Sequence, residues 1–180
     1  KTLIERLINQ FEKNNIKNIN VIIGYKGHEL KKKLRNKYNF IHYPNFKRTN
    51  NLHTLWHARN IINESVIITF ADLVVEDKII KKIVQSKQKI TLAIDSSKVR
   101  KGTMFVKHIK NKLIKIVKLK KKEATGNFIG ITKIHSSEVQ SFSNFMRSNL
   151  KGTKNDYYTV VLNDMIKKNL LINIIDMKKL

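Results

Sequence analysis

An α/β fold, with helices flanking a mostly parallel central sheet and one antiparallel hairpin excursion, is what this sequence predicts. Three observations carry the prediction. Short apolar runs alternate with segments of helical period as far as Asp95. One of those runs, Ser65-Val-Ile-Ile-Thr-Phe-Ala-Asp72, has the continuous apolar and β-branched character of a strand buried on both faces. Beyond Asp95 the alternation gives way to two strand-like segments joined by a short turn, the pattern of a hairpin.

Taken in order, Leu3, Ile4, Leu7, Ile8 and Phe11 recur at helical spacing and predict an amphipathic helix over 2–14. Asn14-Asn15 is its expected stop, because Asn tolerates a left-handed cap. Residues 19–23 form an apolar strand ended by Gly24, and 28–38 read as a basic helix. A short strand at 40–43 is closed by Pro44, the only proline, and a polar loop runs from Asn45 to Asn51. A helix is expected over 52–62, the strand already described follows, and Ile79, Ile80, Ile83 and Val84 mark another helix before the strand 90–94. Residues 103–109 and 112–118 are the hairpin, with Asn111 expected to supply positive φ in its Lys110-Asn111 turn. A strand at 127–134, a helix capped near Ser136, a second helix through Tyr158–Ile166 and a strand at 171–175 complete the reading. No repeat or linker divides the chain, so 1–180 is expected to be a single domain.

Composition narrows the function. The net charge is +24, with 37 Lys and Arg against 13 acidic residues, which favours polyanionic partners such as nucleotides, nucleic acid or anionic lipid. Enrichment in Lys, Asn and Ile, the mark of an AT-rich gene, accounts for the same charge without any partner. No apolar stretch is long enough to span a membrane. There is no Cys, and no charged-then-apolar leader is visible, which together lead to an expectation of a cytoplasmic location. Asp72 is the foremost candidate site residue. A carboxylate just past a buried strand lies where open α/β sheets bind ligands, and suits Mg²⁺ held beside substrate phosphates. The alternative is an acidic residue that caps the next helix. Asp95 offers the same choice at the end of the following strand.

Several motifs then converge. Asn20-Val-Ile-Ile-Gly-Tyr-Lys26, Tyr43-Pro-Asn-Phe-Lys-Arg-Thr-Asn-Asn-Leu-His-Thr-Leu55, Ile67-Ile-Thr-Phe-Ala-Asp72, Thr91-Leu-Ala-Ile-Asp95 and Asn127-Phe-Ile-Gly-Ile-Thr-Lys133 follow one another in a set order. That series resembles the small nucleotidyltransferases, in particular choline-phosphate cytidylyltransferases of the bacterial type and related sugar-phosphate nucleotidyltransferases (the MobA-like group). The resemblance implies a Rossmann-like nucleotidyltransferase domain. It implies transfer of a nucleotidyl group, with CTP favoured as donor, to a small phosphorylated acceptor such as phosphocholine, a phosphonate or a sugar phosphate, with release of pyrophosphate. It implies Mg²⁺ as cofactor and Asp72 as its ligand. Thr49, Asn50 and Asn51 would lie near the base and ribose, where Asn amides suit a pyrimidine edge; an Asn-stabilised turn is the plainer reading. Lys118 would face the phosphates as a catalytic cation, although it stands in a basic run that includes Lys120, Lys121 and Lys122. Asp95 would serve the metal or the acceptor. Tyr157, with Trp56 and Tyr158, would wall a quaternary ammonium, with Trp56 better suited to the core.

The sequence also departs from that family. Its first strand and G-x-G-x-R loop, whose amides cradle the triphosphate, have no counterpart here; Lys1-Thr-Leu-Ile-Glu-Arg6 resembles the helix that follows them. A final strand with an acidic residue in an E-I-D context is also missing, and Asp176 is a poor substitute for it. Thr159 and Asn127 stand where relatives often carry Glu. The expectation is a domain truncated at both ends and inactive alone. The rival readings are a basic nucleic-acid-binding module, a glycosyltransferase, for which no D-x-D follows the strand, and a degenerate non-catalytic relative.

Overall fold

The computed structural model describes residues 1–116 and 119–179. Its first helix, α1 (Leu3–Lys13), opens with a capping box in which the Glu5 amide donates to Thr2 Oγ1 and the Thr2 amide donates to Glu5 Oε2 at 2.6 Å. It closes as anticipated: Asn15 is left-handed (φ 63°), the Asn15 amide donates to Glu12 O and the Ile16 amide to Phe11 O. Then come β1 (Asn20–Ile23), α2 (Gly27–Lys33), β2 (Asn39–His42), α3 (Asn51–His57), β3 (Val66–Thr69), α4 (Asp77–Gln85) and β4 (Ile90–Asp95). The later part holds β5 (Phe105–Ile109), β6 (Lys112–Lys115), β7 (Gly126–Ile134), α5 (Ser136–Asn149), α6 (Thr159–Lys167) and β8 (Asn173–Asp176).

Four local expectations need correction. The basic helix ends at Lys33, because Arg35 and Asn36 both take positive φ and turn the chain into β2. The helix expected over 52–62 breaks at Ala58 into a 3-10 turn, Arg59–Ile61. In the hairpin turn Lys110, not Asn111, carries the positive φ (50°). The cap of α5 is His135, whose Nδ1 accepts from the Ser137 amide.

The α/β class and the antiparallel hairpin stand. Two sheets are present among the described residues: β1 pairs in parallel with β2, and six strands run β3-β7-β4-β8-β6-β5. The larger sheet is mixed rather than mostly parallel. β4 and β8 pair in parallel, but β7 inserts antiparallel between β3 and β4, and the β5–β6 hairpin is antiparallel to both β7 and β8 where it joins them. β3, β4 and β8 nonetheless share one direction, so their C-terminal ends lie together.

No ladder joins β1 to β3 among the described residues; helix α1 bridges the two sheets instead. Leu7 and Phe11 pack with Ile79, Ile80 and Ile83 of α4 and with Ile131 of the larger sheet, while the next residue in sequence, Ile8, packs with Val21 and Ile23 of the smaller sheet and with Leu34 at the end of α2. The opposite face of the larger sheet is covered by α3, α5 and α6 through Leu52, Phe142, Met146, Leu162 and Met165, all buried. Lys133 on β7 donates to the carbonyls of Val84 (2.6 Å) and Ser86 (2.7 Å), satisfying the C-terminal end of α4, and burial lowers its pKa.

Candidate functional site

A cleft of about 720 Å³ opens at the shared C-terminal ends of β3 and β4, the position at which open α/β sheets take ligands. Its floor is aromatic. Phe70, Phe128 and Tyr158 meet edge to face, with centroids 6.2–6.4 Å apart. Gly130 makes that floor possible: its φ is +90°, and a Cβ there would come within 2.5 Å of Phe70 Cδ2. β7 spends three residues, 129–131, opposite the single Ala93 of β4, so it bulges where the Phe70 ring crosses it. Below the floor the Tyr158 hydroxyl lies 2.9 Å from Thr132 Oγ1, and burial pushes the phenol well above its ordinary pKa. Tyr158 is therefore a neutral structural group.

One wall is the segment after β3, Asp72 to Val75. It is held from behind by the buried Gln10 of α1, whose Nε2 donates to Val75 O at 2.9 Å and to Asp77 Oδ1 at 2.5 Å. Asp72 itself is exposed at the cleft, and among the described residues it pairs with no cation. The opposite wall is the β4–β5 loop. Asn127, 3% exposed, fixes it: Nδ2 donates to Asp95 O (3.1 Å) and Lys98 O (2.6 Å), while Oδ1 accepts from the Arg100 amide (3.0 Å). Thr103 Oγ1 lies 2.8 Å from the same oxygen and 2.7 Å from Arg100 O. Asp95 accepts from Ser97 Oγ (2.6 Å) and the Ser97 amide (2.9 Å), and its other oxygen lies 3.6 Å from Arg100 Nη2. The Ser97 hydroxyl first, then the Ser97 amide and the Arg100 charge, hold this carboxyl below its ordinary value against the opposing effect of burial.

The structure thus brings Asp72, Asp95 and Tyr157 to one cleft. It does not bring Thr49, Asn50 or Asn51 there. Thr49 Oγ1 lies 2.6 Å from the Tyr43 hydroxyl, Asn50 Oδ1 accepts from the Asn51 amide at the start of α3, and Asn51 Oδ1 accepts from the Tyr158 amide at 2.7 Å. Asn51 therefore anchors the residue next to Tyr157. Lys118 lies outside the described residues. Trp56 packs against the main core, with the Arg59 guanidinium 4.6 Å from its ring. Tyr158 belongs to the floor's support, whereas Tyr157 is exposed at the mouth. Asp176 is buried and accepts from the Ser96 amide, the Ser96 hydroxyl and the Lys178 amide, so it ties β8 to the loop after β4.

Sequence reasoning gave no role to Arg100, Gly130 or Gln10, and took Asn127 both as the start of a motif like that of relatives and as a departure from the Glu they often carry. For Gly130 a signal existed, since an isolated glycine inside a strand pattern marks a bulge or a close approach. Among the described residues no three His, Asp or Glu side chains converge. A divalent cation at this cleft would find the carboxylates of Asp72 and Asp95 along its walls and take its other ligands from substrate phosphates and water, the usual manner of Mg²⁺.

No family profile matches the sequence, and no curated protein matches it. Solved structures do match. The inositol-1-phosphate CTP transferase from T. maritima superposes with a TM-score of 0.80 at 14% identity, covering 97% of this chain and 72% of that one. The CTP:phosphocholine cytidylyltransferase from Streptococcus pneumoniae superposes at 0.72 with 15% identity, covering 98% and 76%. A UDP-glucose pyrophosphorylase complexed with UDP-glucose gives 0.70 at 13% identity, covering 98% and 78%. Each match takes in nearly the whole chain, which thus has the Rossmann-like fold of these solved structures.

Proposed function

We propose that this chain is the greater part of a nucleotidyltransferase that moves a nucleotidyl group, CMP from CTP in the first instance, onto a small phosphorylated acceptor. The observation that carries the reading is Asp72, an exposed carboxylate at the end of β3, in a strand-end cleft whose other wall holds Asp95 and Arg100. In the reaction an acceptor phosphate oxygen attacks the α-phosphorus, a P–O bond forms there, and the bond to the departing pyrophosphate breaks. Such chemistry asks for positioning and charge neutralisation rather than a protein nucleophile. Mg²⁺ held by Asp72 would neutralise charge on the phosphate oxygens. The aromatic floor and exposed Tyr157 suit a compact acceptor with an apolar or cationic body, of which phosphocholine is the test case.

The lack of a ladder between β1 and β3 among the described residues supports the further reading that a first strand, with its glycine-rich phosphate loop, belongs between them. The deciding experiment is pyrophosphate release with Mg²⁺ and phosphocholine, comparing CTP and UTP. It would be run on the 180-residue chain and on the chain extended upstream through its natural reading frame. The extended protein is expected to turn over CTP, Asp72→Asn to slow it by 100-fold or more, and the 180-residue chain to be silent. Turnover by the short chain would remove the truncation reading. A silent extended protein with either triphosphate would remove the enzyme reading.

A further inference from the structure

We infer that Arg100 is the residue that recognises the acceptor's phosphate, presented to the cleft by Asp95 and by the Asn127-pinned loop. The inference rests on the nucleotidyltransferase reading but adds a residue that the motifs of the sequence do not assign. Among the described residues lining the cleft, Arg100 is the one cation, beside the carboxylate of Asp95 in a cleft that Asp72 also lines. Its side chain is 63% exposed, and its recorded ion pair is one Nη2–Oδ2 approach at 3.6 Å. That is too long and one-sided for the paired, parallel hydrogen bonds a guanidinium makes with a well-seated carboxylate. Most of its five donors therefore have no protein partner among the described residues. An exposed pair of this kind is worth little, so an incoming phosphate can take the guanidinium from Asp95 at small expense.

The backbone beneath Arg100 is unusually well fixed for a surface loop. Its amide donates to Asn127 Oδ1, and its carbonyl lies 2.7 Å from Thr103 Oγ1. Asn127 also holds the carbonyls on either side of the Ser96-Ser97 turn, those of Asp95 and Lys98. Gly126, just before it, brings β7 so close to the loop that a Cβ would lie 3.0 Å from Asp95 O. A rigid base under a loosely held guanidinium is the arrangement expected of a binding group rather than of a surface charge. Asn127 is in this sense a positioning residue: it touches the loop, not the ligand.

The test is an NMR titration of the full chain with phosphocholine, inorganic phosphate and choline, observing the Arg100 Nε–Hε resonance and fitting the dissociation constant. Phosphocholine and inorganic phosphate are expected to shift that resonance, and choline is expected to leave it in place. Arg100→Gln should weaken phosphocholine binding by tenfold or more. Arg100→Lys should recover part of it, since the charge remains but the fork does not. Asn127→Ala should weaken phosphocholine binding by loosening the loop that carries Arg100. Arg100→Gln binding phosphocholine like the parent would overturn the inference, and so would an Arg100 resonance indifferent to both phosphates. Mg²⁺–CTP binding lost in Asp72→Asn is measured separately, so failure of the nucleotide reading and failure of the Arg100 assignment remain distinguishable.

Discussion

At Asp95 a single carboxylate both closes a turn, through Ser97, and steadies a cation, through Arg100. Because these contacts depress its pKa, the stability it contributes is present above its unfolded value, near the ordinary 3.8, and is lost as pH falls through the lower folded value. Asp95→Asn keeps an acceptor for Ser97 and removes only the charge. Its urea midpoint is therefore expected to lie below the parent's at pH 7 and to converge with it in acid below about pH 4; a gap that stays constant into acid would show that the charge is irrelevant. Gly130→Ala is the harsher change. Positive φ and a 2.5 Å approach to Phe70 together should cost about 2 kcal/mol or more, read as a lower urea midpoint with unchanged slope. A loss under about 0.5 kcal/mol would mean the floor yields easily. Asp72 was legible in the sequence because a strand and its terminal carboxylate are contiguous. The contact between Arg100 and Asn127 was not, because it spans 27 residues.

Elements that stop on a local signal were read well, and those stopped by tertiary demands were not. Helix α1 ends at Asn14-Asn15, a pair whose chemistry announces a left-handed cap. Helix α2 ends in the same hydrogen-bond geometry, with the Arg35 amide donating to Lys32 O and the Asn36 amide to Lys31 O, but the place that Asn15 fills after α1 is taken here by Arg35, which resists positive φ. Asn36 tolerates the left-handed region, but the residue on which the stop falls carries no such signal; the pairing of Asn39 with Asn20 follows directly. Two substitutions should separate the cases. Arg35→Gly, at φ 53°, is expected to raise stability by about 0.5–1 kcal/mol, whereas Asn15→Gly should change it by only a few tenths. Thermal melts of both would check this, and an Arg35→Gly protein less stable than its parent would place the strain elsewhere.

Over the whole molecule, alternation of strand and helix was enough for the fold class, but strand order was not legible. That β7 lies between β3 and β4 depends on which faces are left to bury after the helices have packed, and no local pattern encodes it. The division into two sheets has a measurable result. β1 and β2 share a small core with Ile8 and Leu34, apart from the large one. Native-state hydrogen exchange should find the amides of β1 and β2 opening at lower free energy than those of β4 and β7. Equal protection throughout would mean that α1 welds the two sheets into one cooperative unit.

The insertion of β7 also bears on how the chain is made. β3 and β4 leave the ribosome before the strand that separates them, with 56 residues between the end of β3 and the start of β7 and 30 between the end of β4 and the start of β7. At roughly 5–20 residues per second, the two nascent apolar strands are both out without their shared partner for on the order of 1.5–6 s. They can pair with each other in that interval, and such a pairing must be undone before β7 can enter. Yield in a host should therefore respond to translation speed and to chaperones that hold nascent chains, even where the finished protein is stable.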